Sequence, residues 1–591
     1  MSEEPRIGVF VCQCGINIGG VVTVPAVVEY AKTLPHVHHA EENIYTCSEA
    51  GVNVIKEAIK QHNLNRVVVA SCTPRTHESL FRAVCEEAGL NKYLFEMANI
   101  REQCSWVHSS EPEKATQKAR DIVRMAVARA NLLESLSEPE VEIGGDALVV
   151  GGGISGLTAA NTLASQGFKV YVVEKEAELG GLLRQIHKVY PTFQHTPEVW
   201  EPVEKSARQN DNIEILTSTN IKDVNGYVGN FKVAVEVDGK GRTLDIGTII
   251  VASGALNYVP PQGSYQYGVY PNVLTQLQLE ENLRNHSLKN PNHVVMIQCV
   301  GSRVGEIWTY ELMDPAKSFA GHLLKKILGA AKEEGWPYCS KICCMNAIKN
   351  AILLKNRWPD CDVTILYSDI RTYKEYEDFY RKARELEVKF LKYIREIPPE
   401  ITDAGDGRLN VRVYDTLAGV ETDFLCGLLI LSTPLIPSKE DVVLARQLKV
   451  PLGADGFFME AHPKLRPVDT QTDGIFVAGT ASGPKDIAES VISAKAAAAR
   501  AGTLMGNKKM KTEALMSVVN KNLCIGCGLC EELCPYGAHR VEGGKSTTVA
   551  ALCRGCGVCA VDCPQHAITM SHYTDDQVTA QIKAALVTVE V

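Results

Sequence analysis

The sequence lacks both a long apolar run and a basic stripe. No stretch approaches the roughly 18 consecutive apolar residues of a membrane-spanning helix, so we expect no transmembrane segment. Residues 1–5 are acidic where a signal peptide is basic, which predicts a cytoplasmic protein. The formal net charge is −9, from 61 Lys and Arg against 70 Asp and Glu. This balance argues against nucleic acid as a partner.

Cysteine is abundant, with 20 among 591 residues. Because cytosolic thiols are kept reduced, metal ligation explains them better than disulfides. A chain of this length can bury several cores. We expect an N-terminal α/β domain over residues 1–140, a larger α/β domain over 141–505, and a cysteine-rich domain with a C-terminal tail over 506–591.

The cysteine-rich domain contains the motif C-x2-C-x2-C-x3-C-P twice, which predicts an α+β ferredoxin module with two 4Fe-4S clusters. In this motif the fourth cysteine binds the cluster of the other repeat. The predicted ligand sets are Cys524, Cys527, Cys530 and Cys563 for one cluster, and Cys553, Cys556, Cys559 and Cys534 for the other. A pair of zinc knuckles is the alternative, which the eight-cysteine pattern with both prolines disfavours.

A dinucleotide-binding fingerprint opens the larger domain. A strand over residues 147–150 leads into Gly-Gly-Gly-Ile-Ser-Gly, then a helical segment and a second strand. The predicted roles are a tight turn at Gly151, close approach of pyrophosphate at Gly153, helix packing at Gly156 and a ribose hydroxyl contact at Glu174. A glycine-rich turn without a ligand is the alternative, which the strand, helix and strand context disfavours.

Three further segments resemble the disulfide reductase flavoproteins that contain two dinucleotide folds. They are residues 178–181, 248–254 and 472–480, and they contain the candidate cofactor residues Gly180, Gly181, Ala252, Gly479 and Thr480. The resemblance implies a thioredoxin-reductase-like fold and FAD as the dinucleotide. Those enzymes usually have Asp at the position of Thr480, so the sequence departs from the family there.

The second lobe, over about residues 260–430, is predicted to be a degenerate nicotinamide site. The strand over residues 294–297 is followed by 298–303, which lack the fingerprint glycines, so direct oxidation of NAD(P)H is disfavoured. Cys299 lies there, and Cys339, Cys343 and Cys344 follow in a C-x3-C-C motif. We favour a 4Fe-4S cluster, because redox disulfides of this fold use C-x-x-C. A Cys339–Cys343 disulfide and simple buried thiols remain alternatives.

The N-terminal domain contains a fourth candidate cluster site. Cys12, Cys14, Cys47 and Cys72 follow predicted strands, and loops after the carboxyl ends of parallel strands converge. Structural thiols are the alternative, since Cys85 and Cys104 show that not every cysteine here binds one cluster. Cys361 and Cys426 lie in hydrophobic strand-like contexts and are predicted to be core residues.

Nearly the whole chain resembles the A subunit of heterodisulfide reductase. The motifs are Cys-Gln-Cys-Gly at 12–15, Asn-Ile-Arg-Glu-Gln-Cys-Ser-Trp-Val-His at 99–108, the Cys299 and Cys339 motifs, and the terminal ferredoxin. The resemblance implies an FAD and 4Fe-4S electron-transfer subunit of anaerobic metabolism that bifurcates electron pairs. It also implies a non-standard cluster beside the flavin and places Lys349 near the flavin N5, where a cation stabilises an anionic reduced flavin. A solvated helix lysine is the alternative for Lys349.

The resemblance further implies a homodimer within a larger complex. Its partners would be heterodisulfide reductase B- and C-like subunits, ferredoxin, and electron donors resembling hydrogenase, formate dehydrogenase or NADH dehydrogenase. No cysteine lies between Cys104 and Cys299, so the ferredoxin inserted in long family members is absent. Residues 304–337 are longer than the expected connection. The rival functions are an NAD(P)H-dependent reductase like the glutamate synthase small subunit, and a non-catalytic electron-transfer scaffold.

Overall fold

The computed structural model describes residues 4–304 and 335–587, except residues 238 and 396. The chain divides into two compact units, one of Met1–Val141 together with Lys511–Val591, the other of Glu142–Met510. No helix among the described residues is both long and apolar enough to cross a membrane. Most of the 304–337 stretch lies outside the described residues.

The N-terminal segment is a parallel four-stranded sheet covered by helices. The strands are β1 Ile7–Cys12, β2 Val37–Asn43, β3 Arg66–Ser71 and β4 Phe95–Asn99. The sheet order is β2-β1-β3-β4, and β1 is fully buried in the hydrophobic core. The helices are Ile16–Gly19, Val24–Lys32, Glu49–Gln61, Pro74–Glu87 and Pro112–Ala130, with a π-helix at Arg101–Ser105.

The second unit begins with a seven-stranded sheet. The strands are β6 Asp146–Val150, β7 Val170–Val173, β8 Ile213–Leu216, β9 Thr219–Asn225, β10 Phe231–Val237, β11 Lys240–Val251 and β22 Ile475–Val477, after the short β5 Glu140–Glu142. The sheet order is β8-β7-β6-β11-β10-β9, and β22 pairs with β11. Valine-rich β7 is buried along its whole length, as a strand covered on both faces must be. The helices of this lobe are Ile154–Ser165, Thr196–Arg208, Asp441–Leu448 and Ile487–Asn507.

A second parallel sheet, of five strands, forms the other lobe of this unit. Its strands are β13 Val273–Thr275, β14 His293–Ile297, β15 Asp362–Tyr367, β16 Lys389–Lys392 and β20 Leu428–Leu431, in the order β13-β20-β14-β15-β16. Its helices are Gln276–Arg284, Cys343–Arg357 and Glu377–Glu385. An antiparallel sheet of β17 Glu400–Asp403, β18 Leu409–Asp415 and β19 Val420–Cys426 and a pair of β12 Leu256–Asn257 with β21 Leu435–Ile436 complete it. The second unit thus has two lobes, each built on its own sheet, as the sequence predicts for two dinucleotide folds.

The C-terminal segment consists of short antiparallel pairs and short helices. β24 Ser517–Val519 pairs with β27 Ile568–Met570, and β25 His539–Glu542 pairs with β26 Lys545–Thr548. The remaining elements are β23 Lys509–Lys511 and the helices Leu529–Leu533, Val558–Val561 and Asp575–Ala585. This is the α+β ferredoxin pattern that the cysteine motifs predict.

Buried polar contacts join the N- and C-terminal segments within their shared unit. Arg129 is almost fully buried, donates to Nδ1 of His572 at 2.7 Å and pairs with Glu96. Nε2 of His572 in turn donates to the Tyr93 carbonyl at 2.9 Å, and Arg124 donates to the Ala584 carbonyl at 2.8 Å. The two segments are therefore joined by buried hydrogen bonds, which no local sequence motif predicts.

Candidate functional site

A cavity of about 550 Å³ lies in the second unit, a size typical of cofactor sites. Its wall includes Gly151, Gly153 and Glu174 from the fingerprint. The Ile154–Ser165 helix begins directly after Gly153, and the first N–H groups of a helix have no partner within the helix. The positive end of this helix therefore meets the cavity, as phosphate binding requires.

The three fingerprint glycines differ in what surrounds them. Gly151 has φ +111°, and a Cβ there would lie 2.2 Å from the Ala252 carbonyl oxygen. A Cβ on Gly156 would lie 1.8 Å from the Gly151 oxygen. A Cβ on Gly153 would meet no protein atom within 4 Å. Gly151 and Gly156 are thus required by the fold, whereas the open space at Gly153 fits a pyrophosphate.

Glu174 is held at the cavity edge by two backbone N–H groups. Its Oε2 accepts from Gly152 at 2.7 Å and its Oε1 accepts from Glu176 at 2.9 Å. The carboxylate is largely buried at the end of β7, yet it lines the cavity. Each oxygen keeps a second lone pair, so the group fits a ribose hydroxyl.

The other predicted FAD residues divide into cavity wall and support. Gly180, Gly181, Ala252 and Thr480 line the cavity. Gly479 has φ +61°, and a Cβ there would lie 2.1 Å from the Ser155 hydroxyl, so this glycine permits close packing instead. Gly156 likewise permits close packing and does not line the cavity.

Lys485 and Asp486 are among the polar residues of the cavity wall that the sequence motifs do not identify. Lys485 lines the cavity, and burial lowers the pKa of its ammonium group. Asp486 lines it too, accepts from Tyr376 at 2.8 Å and caps the Ile487–Asn507 helix by accepting from the Glu489 N–H. The Asp-x-x-Glu capping box was a signal that could have located this helix start.

The four cysteines of the second lobe come together beside this cavity. Cys343, at the start of the Cys343–Arg357 helix, lines the cavity wall. Burial raises the pKa of the Cys299 thiol to about 12, and nearby Cys344 and Cys339 add to the rise. A hydrogen bond with Cys344, together with burial, raises the pKa of the Cys343 thiol well above its usual value. The thiols thus lie close enough to act on one another.

Lys349 is fully buried behind the cavity wall. Its Nζ donates to the Lys188 carbonyl at 2.8 Å and forms an ion pair with Glu280. Lys188 and Glu280 line the cavity. Burial lowers the pKa of Lys349, and the Glu280 carboxylate opposes this shift. The alternative of a solvated helix lysine is therefore wrong.

Two smaller cavities lie in the C-terminal segment, each enclosed by four cysteines from both motif repeats. Cys524, Cys527, Cys530 and Cys563 line one, and Cys534, Cys553, Cys556 and Cys559 line the other. These are the same groupings as the predicted ligand sets. No three His, Cys, Asp or Glu side chains among the described residues meet at a distance suited to a single metal ion. The cysteine sets enclose space instead, as a multi-iron cluster requires.

The N-terminal cysteines meet at the carboxyl edge of the parallel sheet. The Cys12 sulfur accepts from the N–H groups of Cys14 at 3.3 Å and Thr46 at 3.4 Å. Burial raises the pKa of the Cys72 thiol to about 11, with Cys14 and Cys47 close enough to contribute. Their role as cluster ligands stays a prediction.

The remaining cysteines lie in hydrophobic cores. Cys361 and Cys426 are fully buried among apolar side chains, which confirms the prediction for both. Cys85 and Cys104 belong to the core of the N-terminal segment, and the Cys104 thiol donates to the Ala115 carbonyl at 3.0 Å.

Comparison with known proteins identifies two domains and the family of the chain. Residues 145–297 match the pyridine nucleotide-disulphide oxidoreductase family, and residues 517–538 match the 4Fe-4S binding domain. The A subunit of the H(2):CoB-CoM heterodisulfide,ferredoxin reductase of Methanothermobacter thermautotrophicus is 40% identical over 674 aligned positions, covering 99% of this chain and 98% of that protein. The chain belongs to the family of heterodisulfide reductase A subunits.

Two further proteins are similar to this member of the heterodisulfide reductase family. The iron-sulfur A subunit of the CoB--CoM heterodisulfide reductase of Methanocaldococcus jannaschii is 37% identical, covering 90% of this chain and 91% of that one. Thioredoxin reductase of T. acidophilum aligns with a TM-score of 0.40 and 18% identity, over 61% of this chain and 99% of that one.

Family membership and the matched domains settle the broad biochemistry. The chain is an oxidoreductase subunit that transfers electrons and has FAD and 4Fe-4S cofactors. The predicted family, fold class and enzyme class are confirmed.

Proposed function

We propose that the chain bifurcates electron pairs at its FAD. One electron passes to a high-potential acceptor on a heterodisulfide-reductase-like partner, and the other passes to a low-potential ferredoxin. Bound FAD supplies the conversion between two-electron and one-electron transfer. The single observation that carries this proposal is Cys343, which lines the flavin cavity and is also one of the four adjacent thiols of the second lobe.

Residues of the cavity have separate tasks in this proposal. Gly153 and the start of the Ile154–Ser165 helix bind the pyrophosphate, and Glu174 orients the ribose. The buried pair of Lys349 and Glu280 holds one positive and one negative charge away from water, where their effect on nearby charge is strong. The proposed role of Lys349 is to favour negative charge on the reduced cofactor by neutralising Glu280, which lines the cavity.

The proposed electron-transfer path contains four 4Fe-4S sites. Cys299, Cys339, Cys343 and Cys344 hold the cluster beside the flavin, and Cys12, Cys14, Cys47 and Cys72 hold the N-terminal cluster. The two C-terminal cysteine sets hold the ferredoxin pair.

Relatives named as H(2)- and H(2)/formate-dependent support hydrogenase or formate dehydrogenase as donors, with B- and C-like subunits as further partners and a homodimer as the assembly. An NADH dehydrogenase-like donor is another candidate.

The test of bifurcation uses the complex purified without oxygen. With the two-electron donor present, ferredoxin reduction should require the high-potential acceptor, and the two products should form in equal amounts. Ferredoxin reduction that continues unchanged without the high-potential acceptor would rule out bifurcation.

The isolated chain tests the two rival functions. Without the fingerprint glycines after β14, it should not oxidise NADH anaerobically; rapid FAD reduction by NADH would favour the self-contained reductase. Photoreduced FAD should pass electrons to the clusters, and Cys343→Ser should slow this transfer. FAD that stays reduced while every cluster stays oxidised would favour the scaffold.

A further inference from the structure

Arg101 lies against the N-terminal cysteine site with its guanidinium group fixed on two sides. Its Nε and Nη2 both donate to Oε1 of Glu102, at 3.0 and 2.6 Å. The guanidinium carbon lies 4.8 Å from the centroid of the Trp106 ring, a cation–π distance. Nη1 then donates to the Cys14 sulfur at 3.4 Å. The neighbours of Arg101 thus direct one N–H group toward a candidate cluster ligand.

The charge of Arg101 reaches more than one sulfur of the site. Its side chain is only 19% exposed, so solvent screens it weakly. Arg101 lies close enough to the Cys72 and Cys47 sulfurs to act on both electrostatically, and Glu102 acts in the opposite direction on Cys72. The direct contact is the hydrogen bond to the Cys14 sulfur, and this contact carries the inference.

Other contacts hold the Arg101 segment in place without the guanidinium group. The Asn99 side chain accepts from the N–H groups of Arg101 at 3.2 Å and Glu102 at 3.1 Å. The Ser105 hydroxyl donates at 2.7 Å to the carbonyl of Asn17, which lies three residues after Cys14. A substitution of the Arg101 side chain is therefore expected to leave the local backbone intact.

We propose that Arg101 sets the reduction potential of the N-terminal 4Fe-4S site. One electron added to a cluster increases the negative charge on its sulfur ligands, and a directed N–H group with a fixed positive charge stabilises that state. This inference rests on the proposed function, in which Cys12, Cys14, Cys47 and Cys72 hold a cluster.

The test is a redox titration of the full chain without oxygen, with dithionite as the reductant and the clusters followed by electron paramagnetic resonance. The signal of the N-terminal site is the one that disappears in Cys12→Ser. In Arg101→Gln the ratio of reduced to oxidised cluster at a fixed potential should fall at least tenfold, which is a midpoint lower by about 59 mV for one electron. Arg101→Lys keeps the charge but not the planar fork, so its midpoint should lie between the two.

The matched control is Lys114→Gln, which removes one positive charge at a position 74% exposed in the same unit. It should leave the midpoint unchanged. Equal midpoints in Arg101→Gln and wild type, with the cluster retained, would overturn the inference, and so would loss of the cluster from both Arg101 variants. If Cys12→Ser has the same iron content as wild type, the N-terminal cluster itself is absent and the underlying proposal fails.

Discussion

Lys349 and Glu280 form an ion pair whose side chains are 0% and 4% exposed. Removing one partner of a buried pair leaves the other charge without compensation, which costs about 3–5 kcal/mol. We therefore expect Glu280→Gln and Lys349→Met each to destabilise the second unit by about this amount. The double variant should be more stable than the sum of the two losses predicts. Thermal unfolding monitored by flavin fluorescence measures both effects.

An exposed ion pair is the control for this comparison of single and double variants. Lys232 and Asp245 pair across β10 and β11 with both side chains more than half exposed. Lys232→Met should cost less than about 1 kcal/mol. A Glu280→Gln variant that is no less stable than Lys232→Met would contradict the importance of the buried pair.

The open space at Gly153 predicts a selective loss of FAD. Gly153→Ala should fold normally, because its Cβ meets no protein atom, but it should bind FAD at least tenfold more weakly, about 1.4 kcal/mol. Gly156→Ala should lose both FAD and stability, because its Cβ would clash with the Gly151 carbonyl. Flavin content measures the loss of FAD in each variant, and the melting temperature of the apoprotein measures the loss of stability. Unchanged FAD affinity in Gly153→Ala would mean that the pyrophosphate binds elsewhere.

Cysteine substitutions test the crossed ligand sets of the C-terminal segment. Wild type prepared without oxygen should contain about sixteen irons, for four 4Fe-4S clusters. Cys563→Ser should damage the cluster of Cys524, Cys527 and Cys530, although Cys563 belongs to the second motif. Iron and sulfide analysis measures the loss, and spectra of Cys563→Ser and Cys524→Ser should coincide. The core variant Cys85→Ala should keep the full iron content, and a wild-type count near eight would leave only the ferredoxin pair.

The burial of His572 predicts acid sensitivity of the first unit. Burial, together with Arg129, lowers the pKa of His572 to about 4, whereas an unfolded histidine titrates near 6.5. Between these values the unfolded state binds a proton that the folded state does not, so stability falls as pH decreases from about 6.5 to 4. The shift corresponds to roughly 3 kcal/mol.

Loss of visible cluster absorbance at a series of pH values measures this effect. As pH decreases from about 6.5 to 4, the rate at which cluster absorbance is lost should rise in wild type. It should rise less steeply in His572→Gln. His566→Gln, at an exposed position of the same segment, should behave like wild type. Identical pH profiles for all three proteins would refute the assignment to His572.

Local patterns carried most of what the sequence predicted. The cysteine groupings follow from spacing within one loop and one following turn, and the glycine roles follow from a strand and helix that are adjacent in the chain. The burial of Lys349 could not be predicted in this way, because its partner Glu280 lies on another helix and a lysine in a helix is usually solvated. The shared unit of the two chain ends depends on contacts such as Arg129 with His572, more than 400 positions apart.

The position of those partners in the chain has a consequence for synthesis on the ribosome. The N-terminal segment leaves the ribosome first, but Arg129 and Arg124 form their hydrogen bonds with the C-terminal segment only after residues 572 and 584 have been made. At about 5–20 residues per second this interval is on the order of tens of seconds. During that time we expect the surface that the C-terminal segment later covers to face solvent. The N-terminal segment is thus expected to reach its final packing only when the Asp575–Ala585 helix has been made.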